Sequence, residues 1–398
     1  MLLTKAGNAE ARGVARRDEL LRRAAALVPV LQERAPLAER QRRCPDETVA
    51  DFVANDLLRI CQPARYGGFD LGYDVLCEVS QTLAQGCGSQ AWVHMVLADN
   101  PLKLSAFTLE AQDDVWGQDP SAKIAVAVAQ VGKARHVPGG VVWSGRHGFS
   151  SGIDHADWVI CGGHMVDEDK PRACFALIPT GEITIVDDWH AMGLAGSGSK
   201  SFEVKEVFVP EHRVLDKKAA DTGRAPGTLF YTAPVTKLPR GGVSAVSFAA
   251  VVVGIAEGFL REYVTFTAPR KSRGAPVATQ PGVQLSLGVA AAEIEAASRM
   301  YIGAIREVMQ TLERGEPVSK TQQLQGKRNA AYACQLAIRA VQQLFNNAGG
   351  RALYLDSELQ RKFRDVHAAA AHHSVVWESA AAAYGAHALG LGGDVGSE

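Results

Sequence analysis

No stretch of this sequence approaches the roughly 20 consecutive apolar residues that span a bilayer, so a membrane protein is not expected. The N-terminus, MLLTKAGNAEARGVARRDELLRRAAALVPVL, is charged and amphipathic and lacks the continuous apolar stretch of a secretory signal. Its arginines would suit a transit peptide, but Glu10, Asp18 and Glu19 argue against one. Neither sign of charge is in surplus: the formal net charge is −1, so nucleic acid and acidic membrane surfaces are not expected partners. Paired cysteines are missing as well. The seven, Cys44, Cys61, Cys77, Cys87, Cys161, Cys174 and Cys334, are odd in number and form no C-x-x-C motif, which fits free thiols in a reducing cytoplasm. The eleven histidines make no H-E-x-x-H spacing. Adjacent His372 and His373 would point about 100° apart on a helix, so no metal site is expected. A G-x-G-x-x-G nicotinamide fingerprint is also absent.

What is present is a chain of 398 residues, 47% of them hydrophobic. That is ample for a buried core and too long for one helical bundle; a prior of roughly 100–200 residues per domain gives two or three packed units. Residues 8–110 read as helical. ARRDELLRRAAALVPVLQERAPLAERQRRCP carries apolar positions at helical spacing, and PDETVADFVANDLLRI opens on a first-turn proline followed by acids. YDVLCEVSQTLAQGCGSQAWVHMVLADNPLKLSAF is apolar nearly all round, as a buried helix is. Residues 121–215 change character. KIAVAVAQ, GGVVWSGRHGFSSG, DWVICGGHMV, RACFALIPT, ITIVDDW and SFEVKEVFVP are short, β-branched and separated by turns, which reads as a β-barrel or sandwich. Residues 216–240 look like a long irregular connection. Four long helical candidates follow, the last running LQRKFRDVHAAAAHHSVVWESAAAAYGAHALGL, and four antiparallel helices of this length make a bundle. The expected fold is mainly α: an N-terminal helical domain over 1–118, a middle β-barrel domain over 119–218 and a C-terminal four-helix bundle domain over 219–398.

Three segments carry chemistry. Val142–Trp158, VWSGRHGFSSGIDHADW, sets an aromatic, hydroxyls and an Ala-Asp pair after a glycine turn. Asp188–Leu215, DWHAMGLAGSGSKSFEVKEVFVPEHRVL, holds a Gly-Ser-Gly-Ser loop, where glycine allows close backbone approach and hydroxyls and amides can bind polar ring edges or phosphate. Leu359–His372, LQRKFRDVHAAAAH, has an Arg-Asp pair with a histidine seven residues beyond the aspartate. Together with Tyr66–Gly72 (YGGFDLG) and Gly86–Trp92 (GCGSQAW), these resemble the acyl-CoA dehydrogenase superfamily over nearly the whole chain. In detail they are similar to its two-component flavin monooxygenases (the group D oxygenase components).

A dehydrogenase needs a carboxylate base to take the proton alpha to a thioester. The two usual glutamate positions correspond here to His373 and to a place near Ser244, and residues 237–250, KLPRGGVSAVSFAA, contain no carboxylate. Glu378, five residues past His373, leaves a relocated base open. The resemblance therefore implies a reduced-flavin-dependent monooxygenase that hydroxylates an aromatic or polycyclic small molecule through a flavin hydroperoxide. It implies reduced FMN or FAD from a separate NAD(P)H-flavin reductase, O2 as co-substrate, no metal, and assembly as a homotetramer through the bundle. Rival readings are an acyl-CoA dehydrogenase, an N- or S-oxygenase of the same branch, and a non-catalytic flavin-binding or scaffold relative.

By the same resemblance, Ser151 is the candidate partner of the flavin N5, and His372 stabilises the oxygen adduct or deprotonates a phenol. His372, Ser151 and Asn100 form the expected catalytic set, and Asn100, His372 and His373 the substrate-binding set. Asn100 stands where the phenol hydroxylases often carry a second histidine; it can hydrogen-bond but cannot act as a base. Expected cofactor contacts are Trp92, Gln130, Phe149, Ser150, Ser151, Gly196, Ser197, Ser199 and Arg270. Several have a plainer alternative. Trp92 could be core packing, Ser150 a turn residue, Gly196–Ser199 a hairpin turn and His155 a structural corner. Arg270, with Lys271 and Arg273, matches the dehydrogenase position that meets a neighbouring subunit's cofactor phosphate, or is a solvated loop. Phe345, Gly349 and Gly350 read as a subunit-contact turn, with cofactor contact as the alternative.

Overall fold

Leu20, Ala24, Leu27, Leu31, Ala35 and Ala38 fall three or four residues apart and are all buried. That spacing places them on one face of α1 (Leu2–Gln41). The computed structural model describes residues 2–394, with side chains from Gly13 onward. Helices α2 (Asp46–Ala54), α3 (Tyr73–Ala84), α4 (Gly88–Leu104) and α5 (Leu109–Trp116) complete the N-terminal part. As its all-round apolar sequence requires, α4 is buried on nearly every side.

Strands β1 (Ile124–Val137), β2 (Gly140–Ser150), β3 (Trp158–Met165), β4 (Arg172–Pro179), β5 (Thr184–Val186), β6 (Lys200–Pro210) and β7 (Val214–Asp216) follow. They make one sheet in the order β5-β6-β2-β1-β3-β4-β7. β1 and β3 pair in parallel, and the other neighbours are antiparallel. The ladder establishes a seven-stranded sheet with β5 and β7 at its ends, and no pairing between those ends closes it into a barrel among the described residues. Both end strands have only three residues, too few to carry a ladder much further.

The connection after the sheet contains the short helices α6 (Lys217–Asp221), α7 (Pro226–Phe230) and α8 (Arg240–Val243), the last kinked at Gly241 and Gly242. Beyond it run α9 (Ala245–Thr267), the hairpin β8 (Lys271–Ser272) and β9 (Ala275–Pro276), α10 (Pro281–Glu313), α11 (Lys320–Ala348), α12 (Glu358–Ala370) and α13 (Trp377–Ala388). Contrary to the sequence reading, one stretch, Arg240–Thr267, is long and apolar enough to cross a membrane, but 83% of its most apolar window is buried inside the protein. Its larger part, α9, is the central core helix, on which α3, α4, α10, α11 and α12 pack.

Glycine permits that packing: a Cβ on Gly254 would lie 2.2 Å from the Gln81 carbonyl oxygen of α3. Gly254→Val should therefore lower the unfolding free energy by about 1–3 kcal/mol through overpacking, read from denaturant melts. Gly303→Ala, which meets nothing within 4 Å on α10, should be neutral or stabilise by about 0.5–1 kcal/mol. Equal melts for Gly254→Val and the wild type would refute the close crossing.

The expected fourth bundle helix is two helices. α12 stops at Ala370, and a short turn intervenes before α13 begins at Trp377. His372 is the cause visible at the break. Its backbone is extended (ψ 133°) and its side chain accepts the Ser374 N–H, an alternative to continuing the helix.

Candidate functional site

Three segments far apart in sequence meet at Trp92 of α4. The indole N–H donates to Ser151 Oγ at 3.0 Å. Ser151 Oγ lies 2.6 Å from Ser199 Oγ, which lies 2.8 Å from Ser197 Oγ. This is a continuous chain of hydroxyls, with Ser197 and Ser199 buried. On its other side the indole packs against Phe248 of α9 at 5.3 Å and edge-on against His372 at 5.8 Å, ring centre to ring centre. Phe248 and His372 stack at 3.8 Å and 18°. Because His372 Nδ1 accepts the Ser374 N–H at 3.3 Å, the neutral ring carries its proton on Nε2.

The serine loop is held from two sides. Leu194 takes a left-handed backbone (φ 51°) and its N–H donates to Asp365 Oδ1 of α12 at 2.7 Å. Arg364 donates to the Met192 carbonyl at 2.5 Å, and a Cβ on Gly193 would sit 2.3 Å from the Arg364 carbonyl oxygen. A Cβ on Gly196 would lie 2.8 Å from Ala38 Cβ of α1. The loop's glycines thus allow close approach to neighbouring helices, and its serines supply the polar groups of the site.

Burial pushes the Asp365 carboxyl up from 3.8 to about 6, against the pull of the Leu194 N–H and Arg364. An acid held above its unfolded value binds its proton more tightly in the folded chain. Its contribution to stability is complete below pH 3.8, declines as the pH rises and is lost above about 6. Asp365→Asn should remove a pH slope on the order of 2–3 kcal/mol across that window. Urea melts at stepped pH measure it, and parallel profiles for variant and wild type would contradict it.

Other predicted residues are placed less uniformly. Ser150 is fully buried with no partner for its Oγ, and Gln130 donates to the Val128 carbonyl at 3.1 Å while its buried Oε1 has none. Phe149 is 80% exposed at a φ of 59° and meets Trp189 edge-on at 6.2 Å. His373 is exposed, its ring 4.4 Å from that of His372. Asn100 is buried and donates to the Ile124 carbonyl at 2.7 Å, tying α4 to β1. Among the described residues it makes none of the contacts that join Trp92, Ser151 and His372. Arg270 lies past the far end of α9, over the Phe266 ring, with Nη1 buried and unpartnered. His155 Nε2 meets the Cys44 carbonyl oxygen at 2.9 Å and so pins the sheet to the α1–α2 turn. Glu378 is exposed on the first turn of α13, and among the described residues no carboxylate takes part in the ring contacts and hydroxyl chain around Trp92. Sequence reasoning missed Phe248, which sits in an unbroken apolar run, and the clamp by Asp365, which was legible only as half of an Arg-Asp pair.

Residues 246–377 match the acyl-CoA dehydrogenase C-terminal domain family. The chain is 33% identical over 375 residues to the flavin-dependent monooxygenase oxygenase subunit HsaA of Rhodococcus jostii (strain RHA1), covering 93% of this chain and 98% of that one. It is 31% identical to the FADH2-dependent resorcinol hydroxylase oxygenase component of Rhizobium sp. (strain MTP-10005), covering 94% of each. The crystal structure of XiaF from Streptomyces sp. in complex with FADH2 and glycerol superposes with a TM-score of 0.91 at 27% identity, covering 98% of this chain and 100% of that one. With the helix–sheet–helix order and the Trp92–Ser151–His372 cluster in place, these likenesses show that the chain belongs to the flavin-dependent monooxygenase oxygenase components built on the acyl-CoA dehydrogenase fold.

Proposed function

We propose that this protein hydroxylates an aromatic compound, using O2 and reduced FMN or FAD delivered by a separate reductase. The observation that carries this is the composition of the cluster: hydroxyls, two aromatic walls and a histidine, with no carboxylate base among the described contacts. The names of the similar proteins support it, since one is a resorcinol hydroxylase dependent on FADH2 and another is seen with FADH2 bound.

The residues present fit a flavin. The unpartnered Ser150 Oγ and Gln130 Oε1, with the Ser151–Ser199–Ser197 chain, offer polar partners for ring edges, and exposed Phe149 offers an aromatic face. A bound reduced flavin would supply the electrons that activate O2 for insertion of one oxygen atom into the substrate. Ser151, its orientation fixed by the Trp92 N–H and by Ser199, holds a hydrogen bond at the flavin's polar edge. Trp92 and Phe248 exclude water from the reacting face. His372 donates from Nε2 to the reacting oxygen; a base role would need the opposite tautomer. Asn100 acts as a strut between α4 and β1, and His373 lies exposed beside His372. Phe248 and Arg270 stand at opposite ends of α9, ~30 Å apart at ~1.5 Å per residue. Arg270 therefore serves the cofactor phosphate of a second copy, within a homotetramer.

Supplied with reductase, flavin and 18O2, the protein should place a single labelled oxygen in the hydroxylated product of a phenolic probe such as 2-naphthol. Oxidation of an acyl-CoA with no oxygen incorporation would overturn the reading.

A further inference from the structure

Asp365 stands where the three segments of the cluster meet. It is buried on α12, about two turns before His372. Its Oδ1 accepts the Leu194 N–H at 2.7 Å. The Leu194 carbonyl in turn accepts the Ser197 N–H at 3.0 Å and the Trp189 indole N–H at 3.1 Å. The Ser197 carbonyl accepts the Gly152 N–H at 3.2 Å, which ties the serine loop to the residue after Ser151. The other carboxylate oxygen faces α4. A Cβ on Gly88, the first residue of that helix, would lie 3.2 Å from Asp365 Oδ2, and Trp92 is one turn further on. One carboxylate thus borders the helix that carries Trp92, the loop that carries Ser197 and Ser199, and the helix that leads to His372.

Two observations separate Asp365 from an ordinary strut. Leu194 is held at a φ of 51°, a left-handed conformation that persists in a leucine only where the surroundings fix it. The bond from its N–H to Asp365 is such a fixture. The carboxylate is also a costly one. The cations beside it in sequence are engaged elsewhere, Arg361 and Arg364 with Glu39 of α1 and Lys362 with the Gln85 and Gly86 carbonyls. Burial, helped by Glu39, pushes the Asp365 carboxyl up to about 6 against the pull of the Leu194 N–H, Arg364 and Lys362. At neutral pH the group therefore lowers stability, and what it contributes is position.

We propose that Asp365 is a positioning residue for oxygen transfer: through the Leu194 N–H it sets the serine loop so that Ser199 and Ser151 stand in line with Trp92. This rests on the monooxygenase reading for what the hydroxyls do, and the flavin-free arm of the test keeps the two apart.

In that arm the full chain is labelled with 5-fluorotryptophan, and the Trp92 fluorine resonance is identified by its loss in Trp92→Phe. Asp365→Ala should displace this resonance by more than its linewidth. Asp365→Asn, which keeps an acceptor for the Leu194 N–H, should leave it in place. Gly193→Ala, which forces the loop off α12 without touching the carboxylate, should displace it as well, and serves if Asp365→Ala fails to fold. In turnover with reductase, flavin and 2-naphthol, Asp365→Ala or Gly193→Ala should lower the fraction of electrons ending in product at least fivefold. Peroxide should rise in step, the substrate KM should stay within about twofold, and Asp365→Asn should restore coupling. Either variant combined with Ser151→Ala should lose no more than Ser151→Ala alone, because both act through the same hydroxyl. An unmoved resonance in a folded Asp365→Ala or Gly193→Ala, an Asp365→Asn displaced as far as Asp365→Ala, or losses that multiply in the double variant would overturn the proposal. Absence of oxygenated product from every protein, wild type included, would count against the monooxygenase reading alone, and the fluorine resonance would still decide the positioning.

Discussion

Replacing His372 with alanine is expected to lower kcat for hydroxylation on the order of 10²–10⁴-fold, the range typical of a lost proton-handling group, while leaving the fold intact. The fold should survive because His372 lies in a turn between two helices and is only partly buried. Its largest contact, the stack on Phe248, is one side chain against another and supports no element. Activity should fall because the ring is held by the stack on Phe248 and by the Ser374 N–H at Nδ1, which places the proton of the neutral ring on Nε2. His372→Gln, which keeps an N–H donor but cannot act as a base, should retain more activity than His372→Ala. Equal loss in the two variants would favour a base role instead. Product assays with circular dichroism on the same preparations read both, and unchanged turnover in His372→Ala would remove the residue from the mechanism.

The second large effect is expected at Ser151. Its hydroxyl accepts from Trp92 and is shared with Ser199, so Ser151→Ala leaves the largely buried indole N–H without its partner and Ser199 with Ser197 alone, at a cost of about 1–3 kcal/mol. The expected consequence is uncoupling. Electrons from reduced flavin should still reach O2, but the fraction ending in product should fall at least tenfold, with hydrogen peroxide rising in step. Ser151→Thr, which keeps the hydroxyl, should stay coupled. Peroxide and product are measured together, and full coupling in Ser151→Ala would show that the hydroxyl chain holds the loop and has no part in oxygen transfer.

Much of this was legible in the sequence, for physical reasons that differ by element. The helices and strands follow from period: α1 repeats its apolar residues every three or four positions, and the strands alternate between turns rich in glycine and aspartate. The break at His372 was not legible, because no proline or glycine marks it; a side-chain bond to the Ser374 N–H takes the place of helical hydrogen bonding. The buried character of Arg240–Thr267 follows from packing on five other helices, which no local pattern shows. At the site, Ser151, Ser199, Trp92 and His372 came together as their motifs implied. Asn100 did not join them, since which way a helical side chain turns depends on its neighbours, and the Ile124 carbonyl of β1 engages it. At Gly196 no sequence signal marked the close approach of Ala38 of α1 to the space a Cβ would take. The strand pattern suggested a closed barrel, but closure depends on the pairing of end strands three residues long.

Rapid mixing of the anaerobic protein carrying reduced FMN or FAD with oxygenated buffer tests the central claim most directly. The account predicts a near-ultraviolet absorbance transient distinct from both reduced and oxidised flavin, long-lived in the wild type and shortened in Ser151→Ala. Direct conversion to oxidised flavin with no transient, together with tight binding of oxidised FAD and turnover of an acyl-CoA, would contradict it.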